Sequence, residues 1–317
     1  MHYGFGIDLG GTTVKLAFFD QEGQMLHKWE IPTDTSENGK RILPDIAAAV
    51  LGHLEAQQIP KNQVMGIGIA VPGPVLSDGT VNQCINLGWG VFNIQTTLSA
   101  LTGLPVKAGN DANVAALGEY FQGGGKGYDS MVMVTLGTGV GGGVVLGGKV
   151  FSGSHGVATE IGHMVTVDGG EMCTCGNRGC WERYTSATAI IREGRKFAAA
   201  HPESALYKKV GGDLDKIEAR TVIDLAKEND PDCMQLFENY VYHLAVGLAT
   251  LVNVYDPEVI AIGGGVSHAG EFLLNKVNEI LPKLIFCKNM PYARIELARM
   301  GNDAGIIGAA MLGTQEE

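Results

Sequence analysis

The chain has 317 residues, is 45% hydrophobic and carries a formal net charge of −11 at pH 7. This length and apolar content suit one large or two ordinary globular domains with packed cores. The acidic balance argues against nucleic acid and anionic lipid as partners, and no run of about 20 apolar residues predicts a membrane span.

The first elements alternate between strand and helix. Tyr3–Asp20 ("YGFGIDLGGTTVKLAFFD") predicts two strands around a tight turn, in which Gly10 and Gly11 are expected to supply positive φ. Because the N-terminus shows neither a basic leader nor an apolar signal segment, we predict a cytoplasmic chain. Residues 41–59 have helical spacing of apolar positions, and residues 64–75 form a buried strand that stops at "PG".

The alternation continues to the C-terminus. Strand, loop and helix are predicted over residues 105–121, and residues 131–150 repeat the opening pattern of strand, glycine-rich turn and strand. A mainly helical region follows to about residue 253, then a strand over 258–267 and a helix over 302–312. The glycines in Glu119–Gly127 form a flexible break, which predicts a domain boundary there. Together these elements predict an α/β fold.

Three glycine clusters lie at predicted strand ends, where backbone N–H groups can bind phosphate oxygens. No "GxxxxGK[ST]" occurs, and the loose GxGxxG in "GTGVGGG" lacks the acidic ribose partner of a dinucleotide fold. A plain tight turn remains an equal alternative for any one cluster. Asp8 can hold a Mg²⁺-bound water, and Thr12 and Thr138 can bond phosphate, although turn capping explains each of them as well.

The stretch "CTCGNRGCWE" holds three of the six cysteines within eight residues. Its spacing, CxC-x4-C, differs from the usual zinc-finger CxxC, so metal binding, redox pairing and a plain thiol loop stay open on the spacing alone. The remaining cysteines, Cys84, Cys233 and Cys287, are isolated in sequence, which fits reduced thiols and not a disulfide framework.

The motifs "DLGGT", "GND", "LGTGVGGG", "EIGH", "CTCGNRGCWE" and "IGGGVS" occur in this order. The set resembles the ROK family (repressors, open reading frames and sugar kinases) of the actin-like ATPase superfamily. "INLGWG" and "GCWERYTSATAI" look most like its bacterial glucokinase branch. The resemblance implies a two-lobed, duplicated RNase H-like fold with a cleft between the lobes. Residues 1–120, joined by the C-terminal helix 301–317, would form one lobe, and residues 121–300, with the cysteine loop, the larger one.

The resemblance also implies roles for single residues. Asp111 would be the general base that accepts the proton of the sugar hydroxyl, although from the residues alone it is equally a helix N-cap. Sugar contacts would come from Gly73, Asn86, Asn110, Asp111, Glu160, His163 and Glu182. ATP would contact Gly10, Gly11, Thr12, Gly137, Thr138, Gly139, Gly263, Gly264 and Gly265, with Asp8 acting through Mg²⁺. A structural Zn²⁺ would be held by His163, Cys173, Cys175 and Cys180.

The functional hypothesis is therefore ATP-dependent phosphorylation of glucose to glucose 6-phosphate. An N-acetylglucosamine, N-acetylmannosamine or fructose kinase is the main alternative, and a non-catalytic sugar sensor or repressor is a weaker one. A repressor would need a helix-turn-helix segment ahead of the first strand and a different charge. The family usually places glycine where this chain has Thr159, so the local backbone is expected to differ. We also expect a homo-oligomer, a dimer or tetramer.

Overall fold

The computed structural model describes residues 2–314, so the last three residues of the predicted helix 301–317 lie outside the described residues. The strands are β1 (Tyr3–Leu9), β2 (Thr13–Asp20), β3 (Met25–Pro32), β4 (Val64–Val71), β5 (Thr80–Val81), β6 (Phe92–Asn93), β7 (Val106–Asn110), β8 (Ser130–Leu136), β9 (Val140–Leu146), β10 (Lys149–Val150), β11 (Val259–Gly263) and β12 (Arg294–Leu297). The helices are α1 (Ser36–Gly39), α2 (Ile42–Ala56), α3 (Ile94–Thr102), α4 (Asp111–Gln122), α5 (Glu182–Thr185), α6 (Ala187–Ala200), α7 (Ala205–Lys209), α8 (Ala219–Lys227), α9 (Pro231–Tyr255), α10 (Glu271–Leu284) and α11 (Ala304–Thr314). None of the helices within residues 2–314 has the length and hydrophobicity needed to cross a membrane.

The described chain divides into two compact units. The first contains residues up to 129, residues 143–159 and residues from 300, and the second contains residues 130–142 and 160–299. Residues 121–129 and 143–159 thus belong with the first unit, whereas the family resemblance implied that they belong to the larger second lobe. The reason is close packing inside the first unit: a Cβ on Gly143 would lie 2.5 Å from the Ala116 Cβ.

The first unit is built on a five-stranded sheet of order β3-β2-β1-β4-β7. β1 pairs antiparallel with β2 and parallel with β4, which in turn runs parallel to β7. Buried residues of α2 and α3, such as Ile46 and Leu98, share one core cluster with the sheet residues Phe5 and Ile69. Helix α11 packs against β1, β4 and α4. The sheet therefore has a helical layer on each face.

Helix α11 approaches its neighbours at backbone distance. A Cβ on Gly308 would lie 1.7 Å from the carbonyl oxygen of Val114, and one on Gly118 would lie 2.1 Å from that of Ala304. On β4, a Cβ on Gly68 would lie 1.7 Å from the carbonyl oxygen of Ala309. Only glycine permits such contacts, so these positions fix how α11 sits on α4 and the sheet.

The second unit contains the parallel strands β8, β11 and β12, which belong to a sheet of order β10-β9-β8-β11-β12. This order matches that of the first sheet when the strands of each are counted along the chain. The match is what a duplicated α/β architecture produces, and it agrees with the short echo between residues 3–20 and 131–150. The long helix α9 begins with Pro231 after the N-cap Asp230 and packs on α8 and α10.

The expectation for the backbone of the first glycine turn was wrong. Gly10 and Gly11 do not adopt positive φ in the β1–β2 turn. Glycine is instead needed at position 10 for space, because the Gly10 N–H donates to Thr13 O at 3.0 Å and a Cβ there would lie 2.8 Å from that oxygen.

The glycine-rich segment after α4 is held in place by a buried side chain, and the first stretch of the first unit ends shortly after it, at residue 129. The Glu119 side chain is fully buried, and its two carboxylate oxygens accept hydrogen bonds from Gly124 N at 2.9 Å and Met300 N at 2.7 Å. The glycines there let the backbone wrap around this carboxylate, since a Cβ on Gly123 would lie 1.9 Å from Glu119 Oε2.

Candidate functional site

Asp111 is the first residue of α4, directly after the parallel strand β7. Asn110 is the N-cap of this helix, because its Oδ1 accepts from Ala112 N and Asn113 N. The Asp111 Oδ1 accepts from Ala112 N at 2.8 Å and from Asn110 Nδ2 at 3.0 Å. The helix N-cap, which the sequence offered as the alternative role of Asp111, is therefore Asn110. The Asp111 carboxylate is held between the end of β7 and the N-terminus of α4.

Two of the predicted sugar contacts of the first unit, Asn110 and Gly73, lie beside this carboxylate. Asn110 Nδ2 donates to Gly73 O at 3.2 Å, which connects β7 to the turn after β4. Asn86 is exposed in a short turn that is closed by backbone hydrogen bonds between Cys84 and Trp89. Burial, and to a smaller degree the nearby Asp111 charge, raises the pKa of the Cys84 thiol, which donates to Pro72 O at 2.8 Å.

The first glycine turn lies in the same unit. Gly10 is half-buried and Gly11 and Thr12 are exposed, and a Cβ on Gly11 would meet no atom within 4 Å. Asp8 faces Lys15 across the β1–β2 pair, with 3.7 Å between carboxylate and ammonium. Burial raises the pKa of Asp8 and the Lys15 and Lys28 charges oppose this effect.

The second glycine turn, Gly137–Gly139, is supported by Glu182 within the second unit. Glu182 Oε2 accepts from Val140 N at 2.9 Å, and a Cβ on Gly139 would lie 2.4 Å from this oxygen. The turn is also tied to α6, because Ala187 N donates to Gly137 O and Thr188 Oγ1 donates to Thr138 O, both at 2.7 Å. Glu182, predicted as a sugar contact, thus has a second task at this turn.

The third turn, Gly263–Gly265, lies beside the second. Gly263 pairs with Thr135 in the parallel β8–β11 ladder, and Gly264, at φ 83°, comes so close to Leu136 that a Cβ would lie 2.6 Å from its backbone. A cavity of about 430 Å³ opens at Gly265. Its other lining residues include Arg220, Ile223, Lys227 and His268.

These lining residues were missed in the sequence. Arg220 and Lys227 lie on α8, some 40 residues before the glycines, and nothing local marks them. His268 follows "IGGGVS" directly, and its proximity to that motif was the available signal.

A larger cavity of about 630 Å³ lies elsewhere in the second unit, between the cysteine loop and helices α6 and α9. The charged side chains that line it already pair with one another, as Lys196 does with Glu171 and Glu193 at 3.2 Å and Arg192 does with Glu193 at 2.7 Å. None of the predicted ligand-binding residues lines it.

The cysteine loop brings a Cys₃His set together. The ligand atoms of His163, Cys173, Cys175 and Cys180 all lie within 4.8 Å of one another. Cys173 Sγ is 3.7 Å from His163 Nδ1, and Cys175 Sγ is 3.6 Å from Cys180 Sγ. A tetrahedral zinc with Zn–S bonds of about 2.3 Å separates its ligand atoms by about 3.8 Å. The donor set and its spacing therefore fit a structural Zn²⁺.

The thiols of this set are electrostatically unequal. Burial disfavours ionisation of Cys173, but hydrogen bonds from Cys175, Cys180 and His163 outweigh it and lower its pKa to about 7. Burial and the neighbouring cysteines raise the pKa of Cys180 to about 12. Ionisation of Cys173 thus disfavours ionisation of Cys180, and a divalent cation bound between the two would stabilise both thiolates.

The loop is anchored by Trp181, which follows the last cysteine. Trp181 is fully buried, its Nε1 donates to His243 O at 2.8 Å, and it packs so closely on α9 that a Cβ on Gly247 would lie 2.0 Å from its ring. Its backbone N–H donates to Met164 O at 2.7 Å. This bond places the residue after His163 beside the residue before Glu182.

Glu160 is exposed and precedes the short 3-10 turn Ile161–His163. Thr159, before it, adopts φ 69°, so the expectation of a different backbone at this position was wrong. Its hydroxyl donates to the Asn113 Oδ1 at 2.9 Å, which holds the threonine in a left-handed conformation that glycine adopts more easily.

The predicted site residues thus lie partly in each unit. In the first, Gly73, Asn110 and Asp111 lie at the start of α4, Asn86 lies in the turn between Cys84 and Trp89, and Asp8 and Gly10–Thr12 lie at the β1–β2 turn. In the second, two glycine turns and Glu182 adjoin, and His163 belongs to the cysteine cluster. Their assignment to sugar and ATP stays a prediction.

Comparison with known proteins gives consistent results. The model of the ROK family matches residues 4–316. A glucokinase of Halalkalibacterium halodurans is 39% identical over 317 residues, which cover 98% of this chain and 95% of the relative. A glucokinase of Streptomyces coelicolor is 35% identical over 316 residues, with 98% of each chain covered.

The fold has solved counterparts as well. A ROK family glucokinase from Streptomyces griseus, crystallised in complex with glucose and AMPPNP, superposes with a TM-score of 0.76. It is 36% identical in sequence, and the match covers 99% of this chain and all of the other. The α/β architecture described above is therefore the one that this sugar kinase has.

Proposed function

The chain belongs to the ROK family, and from this premise we propose that it is an ATP-dependent hexokinase that converts glucose to glucose 6-phosphate. The fold is accordingly that of the two-lobed actin-like ATPases. The observation that carries the proposal is Asp111, whose carboxylate is fixed at the N-terminus of α4 while Asn110 takes the capping role.

Asp111 would act as the general base. A carboxylate oxygen of Asp111 accepts the proton of the sugar 6-hydroxyl while the sugar 6-oxygen forms its bond to the γ-phosphorus of ATP. The bond between the γ-phosphorus and the oxygen that bridges it to the β-phosphate breaks, which releases ADP. The hydrogen bonds from Ala112 N and Asn110 Nδ2 engage one carboxylate oxygen and so orient the carboxylate.

The remaining sugar hydroxyls would be bound by Glu160, His163 and Glu182 of the second unit and by Gly73, Asn86 and Asn110 of the first. Carboxylates accept from vicinal hydroxyls, and a site built to do so rejects sugars that lack one. His163 directs Nδ1 to the thiols, which leaves Nε2 for a hydroxyl. Asn110 already serves the helix cap and Gly73 O, so its main contribution would be to orient Asp111.

ATP would lie along the glycine turns. The exposed N–H groups of Gly10–Thr12 and Gly137–Gly139 suit phosphate oxygens. The cavity at Gly265, with Arg220 and His268 in its wall, offers space for adenosine. We place the nucleotide there because the close contact of Gly264 with Leu136 sets that cavity beside the second turn.

Two metal ions would assist. Asp8 fits Mg²⁺, since its half-buried carboxylate lies 3.7 Å from Lys15 and burial still raises its pKa, so a further cation would stabilise its charged form. Bound Mg²⁺ neutralises phosphate charge. Zn²⁺ would be structural, because four protein ligands leave no open position for water. The predicted cytoplasmic location and homo-oligomeric state stay predictions.

The test is release of ADP from Mg-ATP with glucose, N-acetylglucosamine, N-acetylmannosamine, mannose and fructose. We expect the highest kcat/KM for glucose, with phosphate on the 6-hydroxyl by NMR. A preference for an N-acetyl sugar or fructose would replace the proposed substrate and keep the reaction. No turnover with any hexose would overturn the kinase proposal and leave sugar binding to be measured by calorimetry.

A further inference from the structure

Thr159 has a backbone conformation that its side chain disfavours. Six residues other than glycine have positive φ among residues 2–314, and they are Glu37, Asn38, Gln58, Thr159, Asn229 and Asp256. Thr159 is the β-branched member of this set, and it is also buried. A β-branched residue in the left-handed region is strained, so surrounding contacts must hold it there.

Asn113 supplies that contact. The Thr159 Oγ1 lies 2.9 Å from Asn113 Oδ1 and shares its proton with the Ala158 carbonyl oxygen at 2.5 Å. Asn113 is itself buried, at 5% exposure, in the first turn of α4, whose first residue is Asp111. The left-handed residue is thus bound to the helix that carries the proposed base.

The position in the chain gives this strain a consequence. Thr159 is the last residue of the first unit before the chain continues into the second at Glu160. The next residues are held by close contacts with β9: a Cβ on Gly162 would lie 2.1 Å from Val140 O, and one on Gly142 would lie 2.2 Å from Ile161 Cδ1. The φ of Thr159 therefore sets the direction in which the backbone continues from Thr159 to Glu160.

We propose that Thr159 and Asn113 form a positioning pair that fixes residues 160–163, and through them the carboxylate of Glu160 and the ring of His163, for sugar binding. This inference rests on the proposed hexokinase function. The pair orients other residues and does not itself touch the reacting atoms. It supplies by hydrogen bonding the left-handed turn that a glycine would supply by its own flexibility, and it adds rigidity that a glycine lacks.

The decisive variant is Thr159→Gly, which accepts the same φ without strain and lacks the hydroxyl. We expect a melting temperature no lower than that of the wild type, a KM for glucose raised about tenfold, and a KM for ATP within about twofold. Thr159→Ser restores the hydroxyl and is expected to restore the glucose KM. Asn229→Gly, which relieves a left-handed residue between α8 and α9, is the matched control and should change neither KM.

Hydrogen exchange gives a readout that does not depend on turnover. In Thr159→Gly, the peptide spanning residues 158–163 should exchange about tenfold faster than in the wild type or Thr159→Ser. Wild-type glucose KM in Thr159→Gly would overturn the proposal, whatever the exchange rates. If the wild type phosphorylates no hexose, the proposed function fails separately. Unchanged exchange in Thr159→Gly would then also reject the positioning pair, and faster exchange would retain it as an order-imposing contact.

Discussion

Asp111 in the first unit and the pair His163 and Glu182 in the second are held in place by different means. Asp111 sits where the strand β7 meets the helix α4, and backbone hydrogen bonds and the Asn110 cap fix it. His163 and Glu182 flank a loop that contains no helix or strand among its described residues and is held by isolated bridges, the buried Trp181 and the cysteine set.

This difference separates chemistry from recognition. The proposed base depends on regular secondary structure and needs no metal to keep its position. The proposed sugar contacts His163 and Glu182 flank a loop whose Cys₃His set a bound zinc ion would cross-link. We therefore expect loss of the ion to impair sugar binding first, and loss of Asp111 to impair turnover alone.

Asp111→Asn should have the largest effect. The amide keeps the size and the hydrogen bond from Ala112 N but cannot accept the proton, so kcat should fall by about three orders of magnitude. Glucose affinity by calorimetry should stay within about threefold of the wild type. Asp232→Asn, an exposed carboxylate in the first turn of α9, is the control. Turnover near the wild-type level in Asp111→Asn would remove this residue as the base.

Cys175→Ser tests the cysteine loop of the second unit. We expect loss of bound zinc by atomic absorption and a rise of about tenfold in the KM for glucose, because His163 and Glu182 lose their clamp. Cys287→Ser removes an exposed cysteine outside the cluster and should change neither quantity. Full zinc content in Cys175→Ser would contradict the ligand set.

Glu119→Gln tests whether the first unit is independent of the metal. The amide cannot accept from both Gly124 N and Met300 N, so the free energy of unfolding should fall by about 2 kcal/mol. Zinc content should be unchanged. Glu55→Gln, on the exposed side of α2, is the matched control. An equal loss of stability in the two variants would refute a stabilising role for the hydrogen bonds of the Glu119 carboxylate.

His53 should give the smallest effect. Its Nε2 is buried without a hydrogen-bond partner among the described residues, and burial and the nearby His27 charge lower its pKa. The unfolded chain then binds a proton more readily than the folded one, so the stabilisation is present above about pH 6.5 and is lost as pH falls below it. His53→Phe should therefore lose less stability than the wild type when urea unfolding is compared at about pH 7.5 and about pH 5.5. Equal pH dependence in both proteins would refute this.

Much of the fold could be predicted because periodicity marked it. The helix predicted over 41–59 is α2, the strand of 64–75 is β4 ending before the Pro72-Gly73 pair, and the helix of 302–312 is α11. The strand β3 (Met25–Pro32) was missed, because most of its side chains are exposed or half-exposed and no apolar face marks it.

The site was less predictable than the fold. Motif order placed the candidate residues, but it could not show that Glu182 supports the Gly139 turn or that Asn110 takes the cap. These are properties of distances between segments far apart in sequence. Thr159 shows the limit most clearly. Its residue type predicts a changed backbone, and the outcome is decided by a hydrogen bond that its hydroxyl donates to Asn113 of α4, 46 residues away in sequence.

The glycine contacts of α11 have a consequence for the order of biosynthesis. The ribosome makes residues 300–314 only after the whole of residues 160–299, yet these late residues cover one face of the first sheet. Until they emerge, β1 and β4 lack the helix that fits their glycines, and that apolar face stays open to chaperones or to aggregation. The first unit to be translated is thus the last to mature, and a nascent chain halted before α11 should be a preferred target for proteolysis.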